Sequence, residues 1–183
     1  MFQILAYLTL SFGISSTSWF VYEIGYLTQE PEYTCLYDSS VVSPPPCTSD
    51  NICSNNSAIL SWDFDYKSDE TLDNWQQKLS LTCVDDWKIG CIGASFFVGW
   101  AITLLWVPQF GDKYGRKKLF GLALCAQLFL WIGLLTTKHL SVMIVIWLSF
   151  GVLSSIRSNV GYPYLVELMP RKSQTLATTI WCV

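Results

Sequence analysis

Four long apolar stretches, at residues 1–27, 88–110, 119–137 and 140–167, alternate with polar segments along the chain. Each is long enough for an α-helix to cross a hydrocarbon core of about 30 Å at roughly 1.5 Å per residue. The pattern predicts an all-α membrane protein with four complete transmembrane helices and the start of a fifth at residues 175–183. A polar, acidic, turn-rich loop at residues 28–87 separates the first two stretches and includes Pro44, Pro45 and Pro46. The other connections are short: 111–118, the Lys138-His139 turn, and 168–174.

Charge orients these segments. Residues 111–118 read GDKYGRKK, the densest positive cluster in the chain, and Arg171 and Lys172 give a second basic connection. Basic loops face the cytoplasm. The amino terminus and both basic loops are therefore expected inside, with 28–87 and the Lys138-His139 turn outside. A signal peptide is the rival reading of the first stretch, but no basic residue precedes its apolar core, and that core persists past Trp19. Glu23 falls near the outer end of this helix, where an interfacial carboxylate is expected.

Composition agrees with a membrane protein: 51% of residues are hydrophobic and 14% are charged. The net charge of −3 says little about partners, because nearly all acids lie between Glu23 and Asp86. No basic surface is rich enough to imply nucleic-acid binding. The outer loop holds four of the seven cysteines, Cys35, Cys47, Cys53 and Cys83. In an oxidising compartment they predict two disulfides, with three pairings open. A zinc site is the competing reading, without a Cys-x-x-Cys pair or a nearby histidine to support it. Asn55-Asn56-Ser57 is a glycosylation sequon in the right compartment.

Small residues recur at helical spacing, Ser11, Ser15 and Ser18 in the first stretch and Cys91, Ser95 and Gly99 in the second, as where membrane helices pack closely. Trp87 and Trp106 are placed for the headgroup level. Arg157 lies inside the fourth stretch. A lone arginine near a helix centre costs roughly 2.5 to 3.5 kcal/mol on insertion scales, so it should face a partner or a water-filled cavity. Gly161 and Tyr164 share its face, and Pro163 removes a backbone donor nearby. A substrate pathway through Arg157, Gly161 and Tyr164 and a structural tie from Arg157 to a neighbouring helix are both open.

Three stretches resemble the major facilitator superfamily. Gly111, Asp112, Gly115, Arg116 and Lys117 follow the pattern of its loop between helices 2 and 3, with Lys113 for the usual arginine and Pro108 in place of the leading glycine. Arg157, Gly161, Tyr164, Glu167 and Pro170 follow its helix 4 pattern. Leu81 to Trp100, LTCVDDWKIGCIGASFFVGW, is similar to the organic cation and anion transporter branch, which carries a large cysteine-bearing loop between helices 1 and 2. The resemblance implies a major facilitator-type helix bundle that moves a small organic solute or ion by alternating access. It further implies an inward-side conformational latch made of Gly111, Asp112, Gly115, Arg116, Lys117 and Glu167, in which Glu167 pairs with Arg116 and Asp112 caps or bridges helix ends across the two halves.

The family fold has twelve helices in two halves, so the resemblance implies the amino-terminal part of a transporter, inactive alone. Its partners would then be the lipid bilayer and a missing carboxy-terminal half, and its setting the plasma membrane. The alternative is a complete four-helix membrane protein with a disulfide-bearing outer loop, of the adhesion or channel-subunit kind. An enzyme is not expected: phosphate loops, nucleophile elbows and zinc motifs are missing from the sequence. No cofactor or metal is expected, and His139 has no ligand set around it.

Overall fold

The computed structural model describes residues 2–37, 46–54, 59–68 and 71–181. In chain order the elements are α1 (Phe2–Leu27), β1 (Tyr33–Tyr37), α2 (Ser49–Cys53), β2 (Ile59–Phe64), α3 (Trp75–Lys78), α4 (Asp86–Leu104), α5 (Val107–Tyr114), α6 (Arg116–Thr136), α7 (Leu140–Leu168) and α8 (Arg171–Trp181). They form two compact units, one of Met1–Tyr22 with Cys91–Val183 and the other of Glu23–Gly90.

The helical unit is apolar inside and out. Ile92, Met143, Trp147, Phe150 and Leu165 are fully buried, while Leu122, Leu128, Phe129, Ile132 and Val145 are exposed. Helices that are apolar all round belong in a core or a bilayer. Three of them, α4, α6 and α7, are long and apolar enough to cross a membrane. This is a membrane protein by that measure.

Backbone contact sets the α4–α7 crossing. A Cβ built on Gly99 would collide with the Leu148 carbonyl, and one built on Gly151 with the Phe96 carbonyl. Each helix thus offers a glycine to the other's main chain, which is how small residues let helix axes approach closely. Aromatic edges surround the crossing, with Phe96 5.9 Å from Trp147 and Trp131 5.3 Å from Phe150 between ring centroids. The serine stripe of α1 behaves otherwise: Ser15 and Ser18 are exposed.

The basic octet is mostly helical rather than a loop. The long second apolar stretch breaks at Leu105 and Trp106, and α5 then carries the chain to Tyr114. Pro108 explains the break. It has no N–H to give to the Leu104 carbonyl, so the ladder stops one turn before it, and a new helix starts with the proline in its first turn. Gly115 alone separates α5 from α6, at φ +89°, a conformation that disfavours any side chain. Its N–H closes α5 on the Gly111 carbonyl at 3.2 Å.

The second unit is small and cross-linked. β1 and β2 pair antiparallel, with Tyr33 opposite Phe64 and Cys35 opposite Trp62. Disulfides join Cys35 to Cys47 and Cys53 to Cys83, which selects one of the three pairings. Asn74, itself buried, donates to the Tyr26 and Gln29 carbonyls at 3.1 and 2.8 Å and accepts from the Gln76 N–H at 3.0 Å. One amide therefore caps α3 and fastens it to the chain leaving α1. The sequon at Asn55 lies outside the described residues.

Three outcomes follow for stability in detergent. Gly151→Leu should destabilise by about 1 to 3 kcal/mol through overpacking, whereas Gly121→Ala, with nothing within 4 Å of a built Cβ, should be neutral or stabilising by roughly 0.5 to 1 kcal/mol. Replacing Cys53 and Cys83 with serine opens a cross-link of sequence separation 30 and should cost about 3 to 4 kcal/mol on the loop-entropy view. Denaturant titration followed by tryptophan fluorescence measures all three.

Candidate functional site

Two polar groups interrupt the apolar helical unit, one in the middle of its long helices and one at their ends. The first is centred on Arg157, which is 1% exposed. Its guanidinium donates to the Gln127 side-chain oxygen on α6 and, at 3.1 Å, to the Ser16 hydroxyl on α1. Ser16 in turn donates to the Gly13 carbonyl at 3.0 Å. A single side chain of α7 thus ties α6 and α1 together. Burying a cation is tolerable only when such donors find acceptors.

The second group lies where α5, α6 and α7 end. Arg116, the first residue of α6, donates to Glu167 at 2.7 Å and to Asp112 at 3.0 Å. The arginine side chain is 30% exposed, and those of Asp112 and Glu167 are 70% and 58% exposed. The fork of a guanidinium suits two carboxylates at once. Local structure makes this possible: α5 delivers Asp112 one turn before the Gly115 corner, and α6 begins with the arginine. Gly111 is buried against α7, where a Cβ would stand 3.3 Å from Val160. Lys117 is exposed, and among the described residues no ion pair includes it.

The structure brings Asp112, Arg116 and Glu167 together, and all three belong to this chain. Arg157, Gly161 and Tyr164 have separate surroundings on α7. Arg157 is enclosed by its helix partners, Gly161 is buried, and Tyr164 packs against the cluster of Leu10, Phe120 and Leu165. A separate cleft of about 350 Å³ is lined by Ser18, Tyr22, Phe96, Trp100, Ser154 and Ser158. Aromatic walls with a few hydroxyls are the usual makeup of a small-molecule pocket. No group of histidine, cysteine or acidic residues that could hold a metal occurs among the described residues.

Gln127, Ser16 and Gly151 escape a reading of the sequence. Gln127 did leave a signal: it is the one amide in the apolar run 119–137, at mid-helix depth like Arg157. Ser16 stands off the Ser11, Ser15, Ser18 stripe, and Gly151, although Ser155 follows it at four-residue spacing, belongs to no stripe singled out from the sequence. A scan of protein-family models matches none to this chain, and a search of curated proteins finds no match.

The two polar groups should respond differently to removal of one partner. Gln127→Leu strands a buried donor and should cost about 1 to 3 kcal/mol, more when the group is charged, and Arg157→Met in the same chain should recover much of it. Arg116→Gln, at the half-exposed end, should cost no more than ~1 kcal/mol. Thermal unfolding of the purified variants measures the difference.

Proposed function

We propose that this chain is the amino-terminal part of a facilitator-type secondary transporter, which moves small organic solutes or ions across a membrane by alternating access. The observation that carries the reading is the pairing of Arg116 with Glu167, 51 residues apart in sequence. These are the two side chains that the resemblance to the major facilitator superfamily pairs, and Asp112 shares the arginine. Four spanning helices are part of the proposal. α1, at 26 residues, has the length to cross beside α4, α6 and α7.

Physical properties of the two polar groups fit this work. A half-exposed charge pair is weak, on the order of 1 kcal/mol or less, so it can break and re-form as helix ends separate. The buried guanidinium holds the helices together at mid-depth while that happens. The cleft beside Trp100 and Ser154 supplies aromatic faces and hydroxyls without a fixed charge on its walls, which suits solutes recognised by shape and hydrogen bonding as well as organic cations held on ring faces. Transport requires a second set of helices against which this one moves.

The test uses the open reading frame that carries residues 1–183, expressed in cells and confirmed at the membrane. Saturable uptake of a labelled quaternary ammonium or a labelled aromatic carboxylate is expected. Glu167→Gln should change the rate about fivefold, the worth of ~1 kcal/mol in a barrier, and the exchange Arg116→Glu with Glu167→Arg should restore part of it. A chain that reaches the membrane and takes up neither class of probe contradicts the proposal and favours the adhesion or channel-subunit reading.

A further inference from the structure

We propose that the first turn of α6, with the exposed seam that runs down from it, binds an anionic phospholipid: the phosphate on Lys117 and Lys118, an acyl chain along the helix. This rests on the membrane reading of α4, α6 and α7 and is independent of transport.

The charges at this end are unequally used. Arg116 is occupied by Asp112 and Glu167, whereas among the described residues no ion pair includes Lys117 or Lys118, and both are exposed. Lys113 lies 5.6 Å over the Tyr114 ring. An open cavity of about 500 Å³ adjoins them, lined in part by Tyr114, Gly115, Lys117 and Lys118 and also by Asp112 and Glu167, whose carboxylates Arg116 pairs, and has room for a phosphate headgroup beside the lysines. The first N–H groups of a helix have no acceptor within it, and the field there favours an anion. Gly115 provides no capping side chain to compete.

Below the lysines the helix offers a place for hydrocarbon. Lys118, Leu122, Cys125, Phe129 and Ile132 recur at four- and three-residue spacing and so share a face, and all five are exposed. From position 118 to 132 this seam is roughly 21 Å long at 1.5 Å per residue, more than one leaflet's share of a hydrocarbon core of about 30 Å. Gly121 leaves a notch beside it, since a Cβ there meets nothing within 4 Å. Phe110 and Tyr114, stacked 6.0 Å apart with planes at 14°, are exposed close to the headgroup position, where aromatic rings favour the interface. Cations directly above an apolar face are the pattern that recruits acidic lipid.

The experiment titrates the purified full chain in detergent with fluorescent phosphatidylglycerol, using phosphatidylcholine as the neutral lipid and glycerol 3-phosphate as the soluble phosphate. Phosphatidylglycerol should bind about tenfold or more tightly than phosphatidylcholine, and Lys117→Gln with Lys118→Gln should remove that preference, at about fivefold per lysine. Lys117→Arg with Lys118→Arg keeps the charge and should keep the preference, which separates a lost site from a damaged fold. Glycerol 3-phosphate at millimolar concentration should not compete. Equal binding of the two lipids, an unchanged glutamine variant, or competition by glycerol 3-phosphate would overturn the proposal. Alkaline extraction of membranes checks the underlying reading separately: a chain released by carbonate refutes the membrane assignment, while a retained chain indifferent to lipid charge refutes only the lipid site.

Discussion

A guanidinium buried among apolar helices is the constraint on which the rest of the helical unit depends. Its cost is tolerable only if acceptors come to it, and here they come from two other helices, Gln127 on α6 and Ser16 on α1. Hydrophobic attraction cannot orient helices within a bilayer, because lipid tails are as apolar as leucine. Directional contacts must do so instead. Arg157 fixes the rotation of three helices at once, and the reciprocal glycine contacts of Gly99 and Gly151 bring α4 against α7. Aromatic rings then fill the space around both.

The ends of the same helices are built on the opposite principle. Pro108 breaks the second apolar stretch, Gly115 turns the chain in one residue, and the short α5 between them carries Asp112 to the arginine that begins α6. Every charge in this group is partly wet. Screened and solvated pairs contribute little to stability, so the group is suited to changing partners rather than to holding the fold. A rigid centre with a breakable end is the mechanical basis of the proposed transport function, and the unneutralised lysines beside it extend the same end toward the lipid.

Much of this was legible in the sequence, for physical reasons. Spanning segments announce themselves by length and apolarity, and α6 and α7 fall within a residue or a few of the apolar runs 119–137 and 140–167. The need of Arg157 for partners follows from its depth alone. Its partners do not, because a lone glutamine and a serine carry no sign of which helix they face. Residues 111–118 misled: glycine and charge read as a loop, yet an eight-residue helix and a one-residue corner accommodate them. The disulfide pairing was beyond reach, since it depends on how β1, α2 and α3 fold together. So was the strand pair itself, hidden in a segment whose polarity resembles a loop.

The division between a fixed centre and a separable end is tested most directly by distances measured with paired spin labels in the membrane-reconstituted chain, after Cys91, Cys125 and Cys182 are replaced by serine. One pair, at Lys118 and Pro170, reports the end, and another, at Leu128 and Leu153, reports the middle of α6 and α7. On introducing Arg116→Gln, the account predicts a broader distance distribution at the end and an unchanged one in the middle. An end pair that does not respond, or a middle pair that broadens with it, would contradict it.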